Sequence, residues 1–218
     1  VYNDSMVIML SLFLFACDNQ HEYERQVSRY EPYITNVQVV ELNVPVNDNV
    51  YKVKTKFHMS ETTVPADMKH VVLASQMLLS KLDERKQAEC VSQIDEINIY
   101  HVPCKALNDS ETNAWMAENY IIKDTSVVVG MTAELPVNQK SKFAVGYCFD
   151  EMVKVSTRVS YEDQPYWREV TLAHEIAHVW FQACEPTDTW LDPDKYELKA
   201  WEFHESYEET AQKLHVSY

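Results

Sequence analysis

The residues of this chain that are best suited to chemistry are two histidines four positions apart, with a glutamate between them. His174, Glu175 and His178 lie in the run Thr171–Trp180, which reads TLAHEIAHVW. Residues four apart share one face of a helix, so the two imidazoles can reach one metal ion. A glutamate beside the first histidine can then act as general base toward a metal-bound water. The spacing therefore predicts a metal-dependent hydrolytic site.

The element that must position these residues is predicted to be a long, buried helix. Neither glycine nor proline interrupts the sequence from Trp167 to Cys184. The residues around the two histidines are uncharged, as a helix at the floor of a cleft requires: Leu172, Ile176, Ala177, Val179 and Trp180.

This stretch resembles the zinc helix of the zincin metallopeptidases, and the resemblance runs from Thr171 to Glu209. It implies an α+β fold in which a small mixed sheet has an edge strand beside the zinc helix, followed by a helix that carries a further ligand. It also implies Zn²⁺ as cofactor, a peptide or protein as substrate, and Glu175 as the general base that deprotonates a zinc-activated water. By the same analogy, Val153–Val159 is expected to be the edge strand on which substrate lies.

A catalytic zinc site needs a third protein ligand beside the two histidines. The metzincin pattern would place a glycine at position 181 and a histidine at position 184, where this chain has Phe181 and Cys184. That subfamily is therefore not supported. In the thermolysin-like gluzincins the ligand is a glutamate on a following helix. An acid four residues later accepts a hydrogen bond from the first zinc histidine.

This pattern selects Glu205 as the third ligand, with Glu209 as its partner four residues later. Glu197 is followed at that spacing by Trp201, so it does not fit the pattern. Glu202 is the alternative ligand, because Glu202 and the following phenylalanine resemble the start of the ligand helix in some related families. These glutamates lie on the helix face opposite an apolar stripe. An ordinary solvent-exposed face would lie there as well, so this position alone does not identify a ligand.

The first part of the chain is expected to direct export. Residues 6–16 form an apolar run that is too short to span a bilayer but suits a secretory signal. Residues 14–17 resemble a bacterial lipobox, which would make Cys17 the lipidated residue. A buried N-terminal strand or helix is the alternative. The predicted organisation is thus a signal segment at 1–17, a polar tether at 18–33 and a single metallopeptidase domain at 34–218.

Export changes the interpretation of the remaining cysteines. An even number of cysteines in an exported domain suggests two disulfides, for which three connectivities are possible. We expect Cys90 to pair with Cys104 because the two are close in sequence. Cys148 and Cys184, which flank the metal-site region, would then form the second pair.

Composition excludes two classes of function. The net charge of −15 and the absence of a basic stripe argue against a nucleic-acid partner. The chain has only two glycines, whereas a P-loop and a Rossmann phosphate loop each need several close together. Nucleotide binding through either kind of loop is therefore excluded.

Hydrophobic patterns predict the remaining elements. Residues 34–44 and 50–58 alternate as a β-hairpin, and apolar residues recur at helical spacing over 66–93. Further strands are predicted at 97–102, 126–132 and 153–159, a loop and strand over 140–148, and a second helix over 196–214.

Two functions fit the sequence. The first is a zinc-dependent endopeptidase that is periplasmic, anchored to a membrane only through its N-terminal lipid, or secreted. The second is a non-catalytic envelope lipoprotein that uses a zincin-like scaffold in binding or assembly. Retention of His174, Glu175 and His178 favours the enzyme.

Overall fold

The computed structural model describes residues 20–60, 65–107, 130–148, 166–185 and 193–215, which form an α+β fold around one mixed sheet. The predicted α+β class is confirmed. The helices in the described ranges are α1 (20–30), α2 (Pro65–Leu79), α3 (Glu84–Gln93), α4 (Trp167–Cys184) and α5 (Pro193–His215). The strands are β1 (Asn36–Val46), β2 (Asn49–Met59), β3 (Ile94–Val102), β4 (Gly130–Val137) and β5 (Lys140–Cys148).

The sheet has the order β1-β2-β3-β5-β4. The three inner strands are parallel to one another, whereas β1 and β4 run antiparallel to their neighbours at the two edges. The predicted first hairpin is confirmed. Asn47 has a φ of 53° in its turn, a left-handed conformation that asparagine tolerates better than most residues.

The helix predicted over residues 66–93 is wrong in its length, because two helices occupy this range. α2 ends at Leu79, and Asp83 starts α3 by accepting a hydrogen bond from the Lys86 amide at 2.9 Å. Such N-cap bonds satisfy one of the free amides at a helix start. The apolar spacing continues to Leu82, which packs against the core from the connecting turn and so hides the break.

Helices cover both faces of the sheet. Phe57, Ile97 and Val145 share the main core with residues of α2, α3, α4 and α5. On the opposite face, Tyr30 of α1 is fully buried in a second cluster with Tyr100 of β3. The predicted polar tether at 18–33 is therefore wrong from residue 20 onward, because its apolar side chains pack on the sheet.

Both disulfides differ from the predicted pairing: Cys90 bonds to Cys184, and Cys104 bonds to Cys148. Cys90 and Cys104 lie beyond opposite ends of β3, whose nine residues span roughly 30 Å. A disulfide needs Cα atoms within about 7 Å, so that local pair cannot form. Cys148 is aligned with Val102 on the parallel neighbour strand, which brings it beside Cys104.

Several predicted segments lie outside the described residues. These are the signal segment with Cys17, the strand at Val153–Val159 and most of the strand predicted at 126–132. Among the helices that are described, none combines the length and apolar character needed to cross a membrane.

Gly146 generates a stability prediction. A Cβ atom at this position would lie 2.9 Å from Cε2 of Tyr30 and closer still to its hydroxyl, and Tyr30 is fully buried. Gly146→Ala should therefore lower the free energy of unfolding by about 1–3 kcal/mol through overpacking. Chemical denaturation measures the change, and combining it with Tyr30→Leu should recover part of the loss. A Gly146→Ala variant as stable as wild type would contradict the tight contact.

His70 generates a prediction about acid stability. Its Nδ1 lies 2.7 Å from the Tyr207 hydroxyl, and burial, with a smaller effect of Lys69, lowers the pKa of His70 to about 4. The unfolded chain therefore binds more protons than the folded chain between pH 6.5 and pH 4, so stability falls as pH falls through this window.

The effect of His70 is isolated by comparing metal-free wild type with His70→Gln. Between pH 7 and pH 5, wild type should lose about 1–2 kcal/mol more stability than the variant. His21 is exposed, so His21→Gln is the control and should follow wild type. Equal losses in wild type and His70→Gln would contradict the prediction.

Candidate metal centre

Helix α4 brings the two motif histidines together, as the sequence predicts. Its bounds, Trp167–Cys184, are those of the uninterrupted run. His174 and His178 project from one face, and their Nε2 atoms are 3.2 Å apart. Both His174 and Glu175 are buried, since α4 packs between the sheet and the neighbouring helices α2, α3 and α5.

Helix α5 supplies the third group of the centre. It runs antiparallel to α4, as shown by contacts from Glu185 to Tyr196 near the connection and from His174 to Trp201 further along. This arrangement places the Glu197 carboxylate across from both histidines. Its Oε1 lies 3.5 Å from His174 Nε2, and its Oε2 lies 3.2 Å from His178 Nε2.

The three groups have the geometry of a metal-ligand set. Metal–ligand bonds of 2.0–2.1 Å in a tetrahedron imply ligand atoms roughly 3.3–3.4 Å apart. Here the two Nε2 atoms are 3.2 Å apart, and each lies 3.2 or 3.5 Å from a different oxygen of Glu197. Taken as one atom per residue, the three donors lie within 4.8 Å of one another. His174, His178 and Glu197 can therefore hold a metal ion. The Glu197 side chain is 46% exposed, so the centre opens to solvent on the α5 side.

Glu197 is held in its charged form by its neighbours. Burial opposes ionisation, but hydrogen bonds and charge interactions with His174 and His178 outweigh it and hold the pKa of Glu197 well below its usual range. The carboxylate is thus an anionic donor beside two imidazole nitrogens. Two imidazole nitrogens and a carboxylate oxygen form a donor set that can bind a divalent metal ion.

The predicted third ligand, Glu205, does not join this group. His178 lies six residues before the end of α4, whereas Glu197 and Glu205 lie four and twelve residues into α5. At 1.5 Å per residue these positions are roughly 9, 6 and 18 Å from the connection, so Glu205 lies too far along the helix. Its side chain is exposed.

The other predicted glutamates are also elsewhere. Glu202 lines a separate cavity of about 290 Å³, whose lining includes Trp180 and Phe203 but none of the three metal-site residues. Glu209 is exposed and pairs with Lys213 at 3.7 Å. The predicted role of Glu209 as a partner of a zinc histidine is therefore wrong.

The feature that could have identified Glu197 as the third ligand is the geometry of the hairpin formed by helices α4 and α5. In a hairpin of two helices, residues at similar distances from the connection face each other, and this criterion selects Glu197 over Glu205. Glu197 also follows Tyr196, the first member of the buried stripe of α5, and so lies at the border of that stripe.

Two side chains of α5 pack against the first histidine. The rings of Trp201 and His204 lie 5.0 and 5.7 Å from that of His174, both nearly perpendicular to it. Trp201 occupies the position where the sequence pattern would have an acid. His204 thus faces the first histidine; burial, and then the charge of His174, lower its pKa to about 4.

Two tyrosine hydroxyl groups of α5 have partners elsewhere. The Tyr196 hydroxyl donates to Glu185, and that of Tyr207 lies beside His70. The side chain of His215 is outside the described residues.

The carboxyl group of Glu175 rests against the edge strand β4. The Thr132 hydroxyl lies 2.7 Å from its Oε2 and 3.2 Å from the Glu175 main-chain oxygen. Burial raises the pKa of Glu175 to about 7, against the opposing effects of His174 and Thr132, and Glu197 raises it further. A carboxyl group whose pKa is about 7 can both accept and return a proton at physiological pH.

The ligand assignment is tested by paired glutamine variants. Glu197→Gln should weaken zinc binding at least about 100-fold, which exceeds the usual cost of losing an outer-shell partner. Glu205→Gln is the matched control on the same helix and should bind zinc as wild type does. Competition with a chromophoric chelator measures both affinities. Loss of affinity in Glu205→Gln with retention in Glu197→Gln would reverse the assignment.

Comparison with known proteins identifies no family for this chain. No protein-family model, curated protein or solved structure matches the chain at a significant level. Functional inference therefore depends on the geometry of His174, Glu175, His178 and Glu197.

Proposed function

We propose that the protein is a zinc-dependent endopeptidase. One observation carries this proposal: donor atoms of His174, His178 and Glu197 lie within 4.8 Å of one another, and the buried carboxyl group of Glu175 belongs to the residue beside the first of them. Three protein ligands with an open side distinguish catalytic zinc sites from closed structural ones.

Zinc is the metal that best fits the donor set. In this proposal His174, His178 and Glu197 bind the ion, and bound zinc supplies Lewis acidity that activates water and polarises a substrate carbonyl. The two imidazoles and one carboxylate balance only one of the two charges of the ion. The remaining positive charge favours binding of an oxygen that gains negative charge during hydrolysis.

Glu175 performs the proton transfers in the proposed mechanism. Its carboxylate takes a proton from the attacking water, and the protonated carboxyl group then gives that proton to the nitrogen of the leaving amine. This sequence leaves Glu175 in its starting form. The burial that keeps the side chain out of bulk water also limits its exchange of protons with solvent.

The edge of the sheet suggests how a peptide would bind. β4 is the outermost strand on its side of the described sheet, and its residue Thr132 reaches Glu175. An extended peptide that adds to this edge by main-chain hydrogen bonds would pass directly beside the centre. The strand first expected in this role, Val153–Val159, lies outside the described residues.

The two disulfides are consistent with an extracytoplasmic location. We therefore propose an exported enzyme that acts on peptides or proteins outside the cytoplasm. Lipidation at Cys17 is part of this proposal, and mass spectrometry of the intact protein would detect it.

The experiment that tests the proposal separates zinc binding from chemistry. Wild type should hold about one zinc per chain and cleave an unbiased library of quenched fluorogenic peptides. Glu175→Gln should keep zinc but lose at least about 100-fold in kcat/KM, the lower range for general-base catalysis. His174→Ala should lose both zinc and activity, and Glu205→Gln is the control that should lose neither.

Three outcomes would contradict the enzyme. A wild type without zinc, or a fully active Glu175→Gln, would exclude the proposed mechanism. A wild type that holds zinc but cleaves no peptide would favour the non-catalytic scaffold with a role in binding or assembly.

A further inference from the structure

The hydroxyl group of Thr132 lies between two acceptors of one residue. Its Oγ1 is 2.7 Å from Oε2 of Glu175 and 3.2 Å from the main-chain oxygen of Glu175. A threonine hydroxyl has one proton to donate, and two lone pairs with which to accept. It therefore cannot donate fully to both oxygens at the same time.

The contact of 2.7 Å is the shorter of the two, so the Thr132 hydroxyl donates mainly to the carboxyl oxygen Oε2 of Glu175. In the ionised form the Thr132 hydroxyl donates to Oε2, which gives the stronger, charge-assisted bond. The main-chain oxygen then keeps the ordinary hydrogen bond of its helix.

We propose that Thr132 is a positioning residue for Glu175: its hydroxyl group holds the carboxyl group against β4 through the hydrogen bond to Oε2. This inference rests on the proposed peptidase function. The proton of the attacking water passes to Glu175 and then to the leaving nitrogen. Thr132 takes no part in that transfer and is unchanged by the reaction.

The same strand, β4, also contacts the other side of the Glu175 carboxyl group. Gly130 lies two residues before Thr132 on β4, and a Cβ atom there would lie 2.8 Å from both Cγ and Cδ of Glu175. Glycine leaves room for the carboxyl group, and the threonine on the same face of the strand supplies its hydrogen bond. β4 thus positions the general base from the edge at which we propose that substrate binds.

The test compares Thr132→Val with Thr132→Ser in the full chain loaded with zinc. Valine keeps the shape of threonine but has no hydroxyl, so kcat should fall roughly 10- to 100-fold, as expected for loss of one hydrogen bond to a charged group. KM, zinc affinity and melting temperature should stay close to wild type. Thr132→Ser should restore most of kcat because it restores the hydroxyl.

Two further variants complete the design. Thr55→Val removes another buried threonine hydroxyl, on β2, and should leave kcat unchanged. Gly130→Ala should lower kcat while zinc stays bound, because the added methyl displaces the Glu175 carboxyl group. If Thr132→Val folds poorly, Thr132→Ala takes its place, with Thr132→Ser again as the rescue.

The outcomes separate this inference from the proposed function. An active wild type with unchanged kcat in Thr132→Val would overturn the role of Thr132 and leave the peptidase proposal intact. Loss of zinc or of melting temperature in parallel with kcat, with no rescue by serine, would show a structural role only and would also overturn it. A wild type that binds zinc without cleaving peptides would overturn both.

Discussion

The close approach of one carboxylate to two imidazoles imposes the main constraint on this structure: the two Nε2 atoms are 3.2 Å apart, and each lies 3.2 or 3.5 Å from a different oxygen of Glu197. The lone pairs of His174, His178 and Glu197 repel one another unless a cation or shared protons lie among them. Partial burial strengthens this repulsion, and it also strengthens the attraction of the donors to a cation or proton. Hydrogen bonds between Glu197 and the two histidines supply such protons in the absence of a metal ion, and the packing of α4 against α5 holds the three groups together. Because the donors are already placed, little ordering of side chains would oppose metal binding.

Helix α4 is fixed at several points along its length. The Trp180 indole donates to Ser75 of α2 at 2.8 Å, and the Cys90–Cys184 disulfide joins its last residue to α3. Glu185, the next residue, accepts a hydrogen bond from Tyr196 and one from Lys199 of α5. Tertiary contacts of this kind, more than helix propensity, fix the relative position of two helices. They keep the register in which Glu197 faces both histidines.

The sequence predicts the local part of this site and not the part that depends on packing. His174 and His178 share a face because of helical spacing alone, and the bounds of α4 follow from a run that contains neither glycine nor proline. The third ligand depends instead on how far along α5 the hairpin brings each glutamate, which favours Glu197 over Glu205. The disulfides follow the same rule: Cys90 and Cys104 are near in sequence, but an entire strand separates them. The break before Asp83 is hidden because Leu82 packs on the core from a turn.

The surroundings of His174 show what replaces the expected acid. The sequence pattern requires a carboxylate to hold Nδ1 of the first histidine, but among the described residues Nδ1 has no hydrogen-bond partner. Trp201 lies against the ring instead, at the position four residues after Glu197. Packing against an indole fixes the orientation of the imidazole without adding a negative charge. In the proposed enzyme the ligand nitrogen would be less basic than one paired with a carboxylate, which would leave more positive charge on a bound ion.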